Sequence, residues 1–410
     1  MRISIVSINY APERTGIGVY TTGMAEFLAA DGHDVTVHSG FQYYPEWKKL
    51  DADRGHAFRR EQVNGVDLHR CYLYVPERPT SVKRILHELS FVISASISYL
   101  FSRRADLTII VLPPLALGAS IAVLAKFKRS ATILHVQDLQ PDAAVELGML
   151  RPGLLTRTLY LLERINYRLA GTVSTISEGM RAKIIEKGVP KQKTMLFRNW
   201  ANDSFIQPGS RLTALREEWG LSPDHFVVLY SGNLGRKQGL ESLLASAAMV
   251  ADMPGIQFVI VGNGAEQAEL VSNAARLGLS NIQFRPLQPL ERLSELLATA
   301  DVSVIPQKRA VTDIVLPSKL SNILASGRPV VAASPPTSDL AQILREGDCG
   351  ILVDPEDAGQ MAAGIRRLAS DPALCARFST NARSYAEQHL LQASVIRRFA
   401  ESLPPLLSGT

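Results

Sequence analysis

The chain has 410 residues, which suits two domains of ordinary size, and 46% hydrophobic with 20% charged residues excludes a chain dominated by disorder. A formal charge of +5 is a mild excess that fits a phosphate-bearing ligand or an anionic surface. There is no RNP-type aromatic motif, zinc-finger spacing or basic run, so nucleic acid is not an expected partner.

The opening MRISIVSINYAPERTG reads as a strand and a polar glycine loop, not as a secretory signal. In the first half, short apolar runs predict strands over 2–8, 34–40, 66–74, 107–112, 131–137, 172–177 and 194–199. Helices are expected over 18–31, 82–101, 115–127, 153–169 and 178–187. The runs 85–101 and 107–125 are apolar but poor membrane spans: the first holds His87 and Glu88, and the second is broken by Pro113 and Pro114. Residues 199–210, NWANDSFIQPGS, read as a linker. The alternation restarts with strands over 226–232, 256–264, 282–287, 302–307, 329–334 and 350–354. Continuous apolar strands alternating with helices mark parallel sheets covered on both faces. The fold class is α/β, two Rossmann-like domains in series, with ligands expected beyond the C-terminal strand ends and a cleft between facing domains.

Four glycine- or proline-bearing turns carry the chemistry. Gly16 and Gly18 precede the first helix and suit an anion at a helix N-terminus, or a plain tight turn. After the strand at 226–232, Gly232, Asn233, Gly235, Arg236 and Lys237 combine backbone donors and two cations before a helix, a natural diphosphate site. Gly262 and Gly264 form a third turn, which either lines a nucleotide or is structural. In the fourth, Pro317 sits early in a helix, Ser318 and Lys319 follow in its first turn, and Asp313 lies just upstream. The segment ATILHVQDLQPD places His135 and Asp138 at a strand end, as orienting and charge-stabilising groups. A core histidine and a helix N-cap are their structural alternatives. Glu163 reads as a solvated helix-face residue. Cys71, Cys349 and Cys375 are far apart, which argues against a disulfide framework or zinc site and fits a reducing cytoplasm.

YSGNLGRKQGL, HVQDLQPD and LPSKLSNILASGRPVV together resemble the GT-B glycosyltransferases of family 4 over nearly the whole chain. The resemblance is greatest to the bacterial exopolysaccharide branch that contains the colanic acid fucosyltransferase. It implies an acceptor-binding domain over 1–200, a nucleotide-sugar-binding domain over 201–385, and a C-terminal helix, 386–410, packing back on the first domain. It implies retaining hexosyl transfer from a nucleotide sugar such as GDP-fucose or a UDP-sugar, with no cofactor and no metal. The implied donor-binding residues are Gly16, Gly18, Gly232, Asn233, Arg236, Lys237, Gly262, Gly264, Asp313, Pro317, Ser318 and Lys319. The implied acceptor is a lipid-linked saccharide, and the implied location is the cytoplasmic membrane's inner face. The basic, apolar segments 78–104 and 151–169 fit a membrane surface. The sequence departs from many members at Asn233 and Gln238, where they carry Arg and Lys, and at Asn322, where they carry Glu. A sugar-nucleotide epimerase of the same fold and a catalytically silent partner in polysaccharide assembly are the alternative readings.

Overall fold

The computed structural model describes residues 1–13, 16–44, 46–78, 80–146, 153–203, 205–235, 238–309 and 317–408. It divides into two compact units, Met1–Arg198 with Ile396–Thr410, and Asn199–Val395.

The first unit is built on an eight-stranded sheet of order β3-β4-β2-β1-β5-β6-β7-β8. Its strands are β1 (Arg2–Ser7), β2 (Asp34–Gly40), β3 (Phe58–Val63), β4 (Val66–Cys71), β5 (Leu107–Leu112), β6 (Ala131–Val136), β7 (Thr172–Thr175) and β8 (Thr194–Leu196). All pairings are parallel except β3 with β4. Every residue of β5 is buried, as a central parallel strand requires when helices cover both faces. The helices are α1 (Ile17–Ala30), α2 (Ser81–Phe101), α3 (Leu115–Phe127), α4 (Gln140–Glu146), α5 (Leu154–Leu169) and α6 (Glu178–Glu186). Thr80 caps α2 by accepting from Lys83 N, and Ser177 caps α6 by accepting from Met180 N. The strand order reverses between β1 and β5, so the crevice beyond their C-terminal ends is where a ligand fits.

Strand β3 is an addition to the sequence reading. Its residues FRREQV hold no apolar run, because it is an edge strand whose side chains alternate between exposed and half-buried. Asn64 and Gly65, with φ of 48° and 81°, turn the chain into β4. Glu163 is a correction: the side chain is 4% exposed, packed inward from α5 and bonded to Lys187.

The second unit holds a six-stranded, all-parallel sheet of order β11-β10-β9-β12-β13-β14. The strands are β9 (Phe226–Ser231), β10 (Ile256–Val261), β11 (Ile282–Arg285), β12 (Val302–Ile305), β13 (Val330–Ala333) and β14 (Gly350–Val353). The helices are α7 (Ala214–Glu218), α8 (Leu240–Met249), α9 (Gln267–Arg276), α10 (Leu293–Thr299), α11 (Lys319–Ala325), α12 (Asp339–Gly347), α13 (Ala358–Ser370) and α14 (Pro372–His389). Here the switch lies between β9 and β12. The last helix, α15 (Gln392–Ser408), carries Phe399, whose ring stacks on Phe197 of the first unit at 4.0 Å. No helix among the described residues is long and apolar enough to cross a membrane.

Candidate functional site

In the second unit the apolar run of β9 ends at Ser231, and Gly232 follows with φ 148°, a conformation that favours glycine. The Nζ of Lys319 lies 3.0 Å from where a Gly232 Cβ would stand. That ammonium sits 4.1 Å from the centre of the Tyr230 ring and donates to Gln238 Oε1 at 3.4 Å. Burial pushes Lys319 down to about 8. The Tyr230 hydroxyl donates to the carbonyl of Asn233 at 2.7 Å, tying the strand end to the loop. Gly262 and Gly264 support that loop. A Cβ on Gly262 would stand 1.9 Å from the Gly232 carbonyl oxygen, and one on Gly264 would stand 2.2 Å from that of Leu234. The two loops lie backbone to backbone through Gly232 N to Val261 O and Leu234 N to Asn263 O. The fourth turn differs from expectation: α11 begins at Lys319, and Pro317 and Ser318 precede it in a turn closed by Leu320 N to Pro317 O. Among the described residues this arrangement presents the Lys319 cation and close-packed backbone at a parallel strand end, the setting in which phosphate binds.

In the first unit a pocket of about 320 Å³ opens at the switch between β1 and β5. It is lined by Asn9, Gly16 and Ile17, by Tyr43, Tyr44 and Trp47, by Arg84, His87 and Glu88 of α2, and by Asp138. Its aromatic side is a cluster: Tyr43 meets His87 at 4.4 Å and Trp47 at 5.4 Å, and the Arg84 guanidinium lies 5.4 Å over Trp47. His87 Nδ1 donates to the Tyr74 carbonyl at 2.6 Å, and burial lowers its basicity, so the imidazole is neutral. Burial raises Glu88 to about 7 against the opposing effect of Arg84. Glu13 is buried and organises the loops. Its Oε1 accepts from the backbone N–H of Tyr43 and Tyr44, each at 3.1 Å, and its Oε2 accepts from Asn9 Nδ2 at 2.6 Å. An aromatic wall, two carboxylates and a guanidinium can stack on a sugar ring and bind its hydroxyls. Among the described residues no cluster of His, Cys, Asp and Glu has a metal-holding arrangement.

Comparison with known proteins decides the family. The Glycosyl transferase 4-like domain profile matches residues 15–200, and that of Glycosyl transferases group 1 matches residues 213–385. A candidate colanic acid biosynthesis glycosyl transferase of Escherichia coli (strain K12), WcaI, is 38% identical over 98% of this chain and 100% of its own length. The chain belongs to the family 4 glycosyltransferases. Its fold agrees with that of sucrose-phosphate synthase from Thermosynechococcus elongatus, with a TM-score of 0.74, 19% identity and coverage of 100% of both chains. It also matches Anabaena Alr3699/HepE, solved in complex with UDP-glucose, at a TM-score of 0.69 and 17% identity over 99% of this chain and 100% of that one. The fold class is therefore GT-B, made of two Rossmann-like halves.

The residues expected to serve this glycosyltransferase fall into four groups. Gly232, Asn233, Gly262, Gly264, Pro317, Ser318 and Lys319 belong to the loops around β9, β10 and α11 in the second unit. Gly16 lines the pocket of the first unit, while Gly18 is buried in α1, with Asn9 Cβ 3.4 Å from the place of a Gly18 Cβ. Arg236, Lys237 and Asp313 lie outside the described residues. His135 and Asp138 come from one strand end but face different surroundings. His135 is 3% exposed, with Nδ1 bonded to Ser174 Oγ and Nε2 to Gln137 Nε2, each at 2.9 Å. Burial lowers it to about 3, so the imidazole is neutral. Asp138 is exposed and reaches the pocket. Sequence reasoning missed Glu13, Tyr43, Trp47, Arg84, His87 and Glu88, because no local motif shows which loops meet at a switch point. It missed Tyr230 because an aromatic residue in an apolar strand reads as core.

Proposed function

We propose that this transferase moves a sugar, with retention, from a nucleotide diphosphate sugar such as GDP-fucose or a UDP-sugar to a lipid-linked saccharide in exopolysaccharide assembly. The relation to WcaI supports the pathway class, and the UDP-glucose complex of the structural relative supports the donor class. The observation that carries the reading is the Lys319 ammonium, set beside Gly232 on an aromatic face and a neutral amide. Such a cation is ready for a diphosphate.

In this reading the donor diphosphate lies along Gly232, Asn233 and Ser318, with Lys319 stabilising the charge that grows as the glycosidic C–O bond breaks. Arg236 and Lys237 add charge from the same loop, and Asp313 takes a sugar hydroxyl. The acceptor sugar occupies the pocket between Trp47 and Glu88. Its hydroxyl oxygen bonds to the anomeric carbon on the face the phosphate leaves, and its proton passes to the departing phosphate oxygen. Asp138 stabilises the oxocarbenium-like centre, and His135 supports that strand end. The nucleotide sugar is a co-substrate, and the reaction draws on protein cations without a metal. The lipid-linked acceptor places the protein at the cytoplasmic membrane's inner face.

The test is a thermal-shift series with GDP-, UDP- and dTDP-sugars, followed by transfer to lipid-linked acceptors with the product's anomeric configuration read by NMR. A stabilising nucleotide sugar and a retained linkage are expected. Conversion of the sugar nucleotide without an acceptor would replace the proposal with an epimerase, and an inverted product would overturn the stereochemistry.

A further inference from the structure

The outward face of α2 breaks the rule for a surface helix. Val82, Leu86, Leu89, Ile93, Ile97 and Leu100 recur at steps of three and four, so they form one stripe, and all are exposed. The opposite face of α2 holds Phe91, Ala95 and Tyr99 against the core. The stripe is not isolated. Helix α3 packs against both α2 and α5. It ends in Phe127, 82% exposed, as α2 ends in Phe101, 83% exposed. On α5, Leu154, Leu161 and Ile165 form a second exposed stripe. Scattered exposed apolar residues are ordinary, but stripes on adjoining helices mark a contact surface.

Charge identifies the partner. Across α2, α3 and α5 the acids are Glu88 and Glu163 alone. Both turn away from the outer surface: Glu88 lines the pocket, and Glu163 is buried on Lys187. The cations stay outside: Lys83 on α2, Lys126 on α3, and Arg157, Arg164 and Arg168 on α5 are all exposed. An apolar face with basic flanks and no exposed acid has the chemistry of an interfacial layer on anionic lipid.

We propose that the α2–α3–α5 layer is a docking face that lies flat on an anionic bilayer, with the apolar stripes in the headgroup boundary and the cations on lipid phosphates. A consequence for the acceptor rests on the transferase reading above. Arg84, His87 and Glu88 line the pocket from the side of α2 away from the stripe. Docking therefore holds the pocket about one helix diameter, roughly 10–12 Å, above the lipid. That spacing suits a short saccharide joined to lipid through phosphate, and Arg84 at the pocket wall is placed to meet that phosphate. The reaction that supplies such a substrate is transfer of a sugar phosphate to a lipid phosphate.

The test is flotation of the full chain with vesicles of phosphatidylcholine alone or mixed with phosphatidylglycerol, at low and high salt. Leu89→Glu, Ile93→Glu and Leu161→Glu are the variants. The wild type should float with the anionic vesicles and be released by salt. Each variant should bind roughly tenfold more weakly while its melting shift with nucleotide sugar is unchanged. Equal flotation of wild type and variants would overturn the docking face, as would a wild type that stays out of anionic vesicles at low salt. A wild-type dimer that the variants convert to monomers, without vesicle binding, would assign the face to a second copy. Loss of docking with the nucleotide-sugar shift intact leaves the transferase reading standing, and the reverse pattern defeats that reading alone.

Discussion

Lys319 of α11 rests on the face of Tyr230 of β9, its Nζ 4.1 Å from the ring centre. Lys319→Ala should weaken donor binding by about 1–3 kcal/mol, the worth of a charge-assisted bond. Tyr230→Phe keeps the ring but frees the Asn233 carbonyl, and should lose less affinity than Tyr230→Leu, which removes both. Calorimetric titration with the stabilising nucleotide sugar checks all three. Burial sets Lys319 near pH 8, with Gln238 and Tyr230 as its neighbours. The charged form binds phosphate, so affinity should fall as pH rises through 8. Lys319→Ala should show no such fall.

Glu88 gives a pH dependence of stability. Its carboxyl is raised from 4.5 to about 7 by burial, with Arg84 opposing. Tyr43, His87 and Asp138 share its pocket. Between those values the folded chain holds a proton the unfolded chain has released, so stability falls as pH rises across that window. Glu88→Gln removes this slope. The variant should gain roughly 1–2 kcal/mol over wild type at pH 8, discounted for partial exposure, and little at pH 4. Urea unfolding at both values measures it.

Lys187 holds α4, α5 and α6 together. Its ammonium donates to Asp142 and to both Glu163 oxygens at 2.9 and 2.7 Å, and the Tyr167 hydroxyl donates to Glu163 Oε1 at 3.0 Å. Lys187→Met leaves the buried Glu163 carboxylate without its cation and should cost about 3 kcal/mol. Adding Glu163→Leu should recover most of that loss, since the buried carboxylate is then gone and the half-buried Asp142 alone lacks the cation. Denaturant midpoints of the single and double variants give the coupling.

The parallel sheets were legible because buried strands such as β5 must be apolar throughout, and the glycine turns were legible because close loops exclude side chains. Edge strand β3 was obscured by its charged residues, although the Asn64–Gly65 pair carried a hairpin signal. The loop around Gly232 and the lysine of the fourth turn could be read because both lie in local motifs. The sugar-sized pocket could not. Its walls come from residues 9, 43, 47, 84, 87 and 88, and only the strand order brings them together. Glu163 was misread because an acid on an amphipathic helix is usually solvated, and its partner Lys187 lies on a different helix.

Gly262 tests whether the loop after β10 serves the donor directly or by support. A Cβ there would stand 1.9 Å from the Gly232 carbonyl oxygen, and φ is 155°. Gly262→Ala must push the β9 loop away. It should cost about 2 kcal/mol or more of stability and also weaken donor binding. Measuring both in one preparation separates the effects: a stability loss with full donor affinity would show that the Gly232 loop tolerates displacement.

Asp138 and His135 stand three residues apart, yet their surroundings differ. His135 is enclosed by Ser174, Gln137 and the Phe197 ring, and burial keeps it neutral. His135→Phe removes the bonds to Ser174 and Gln137 and should cost about 1–3 kcal/mol of stability. In wild type, no step in the kcat profile between pH 5 and 8 should belong to it. Asp138 is exposed and lines the pocket. Asp138→Asn should fold with wild-type stability and bind donor normally, but transfer roughly 100-fold more slowly, because a charge near the reacting carbon is gone. Single-turnover transfer at saturating donor distinguishes the two residues. Full turnover in Asp138→Asn would remove that carboxylate from the chemistry and leave Glu88 as the remaining acid in the pocket.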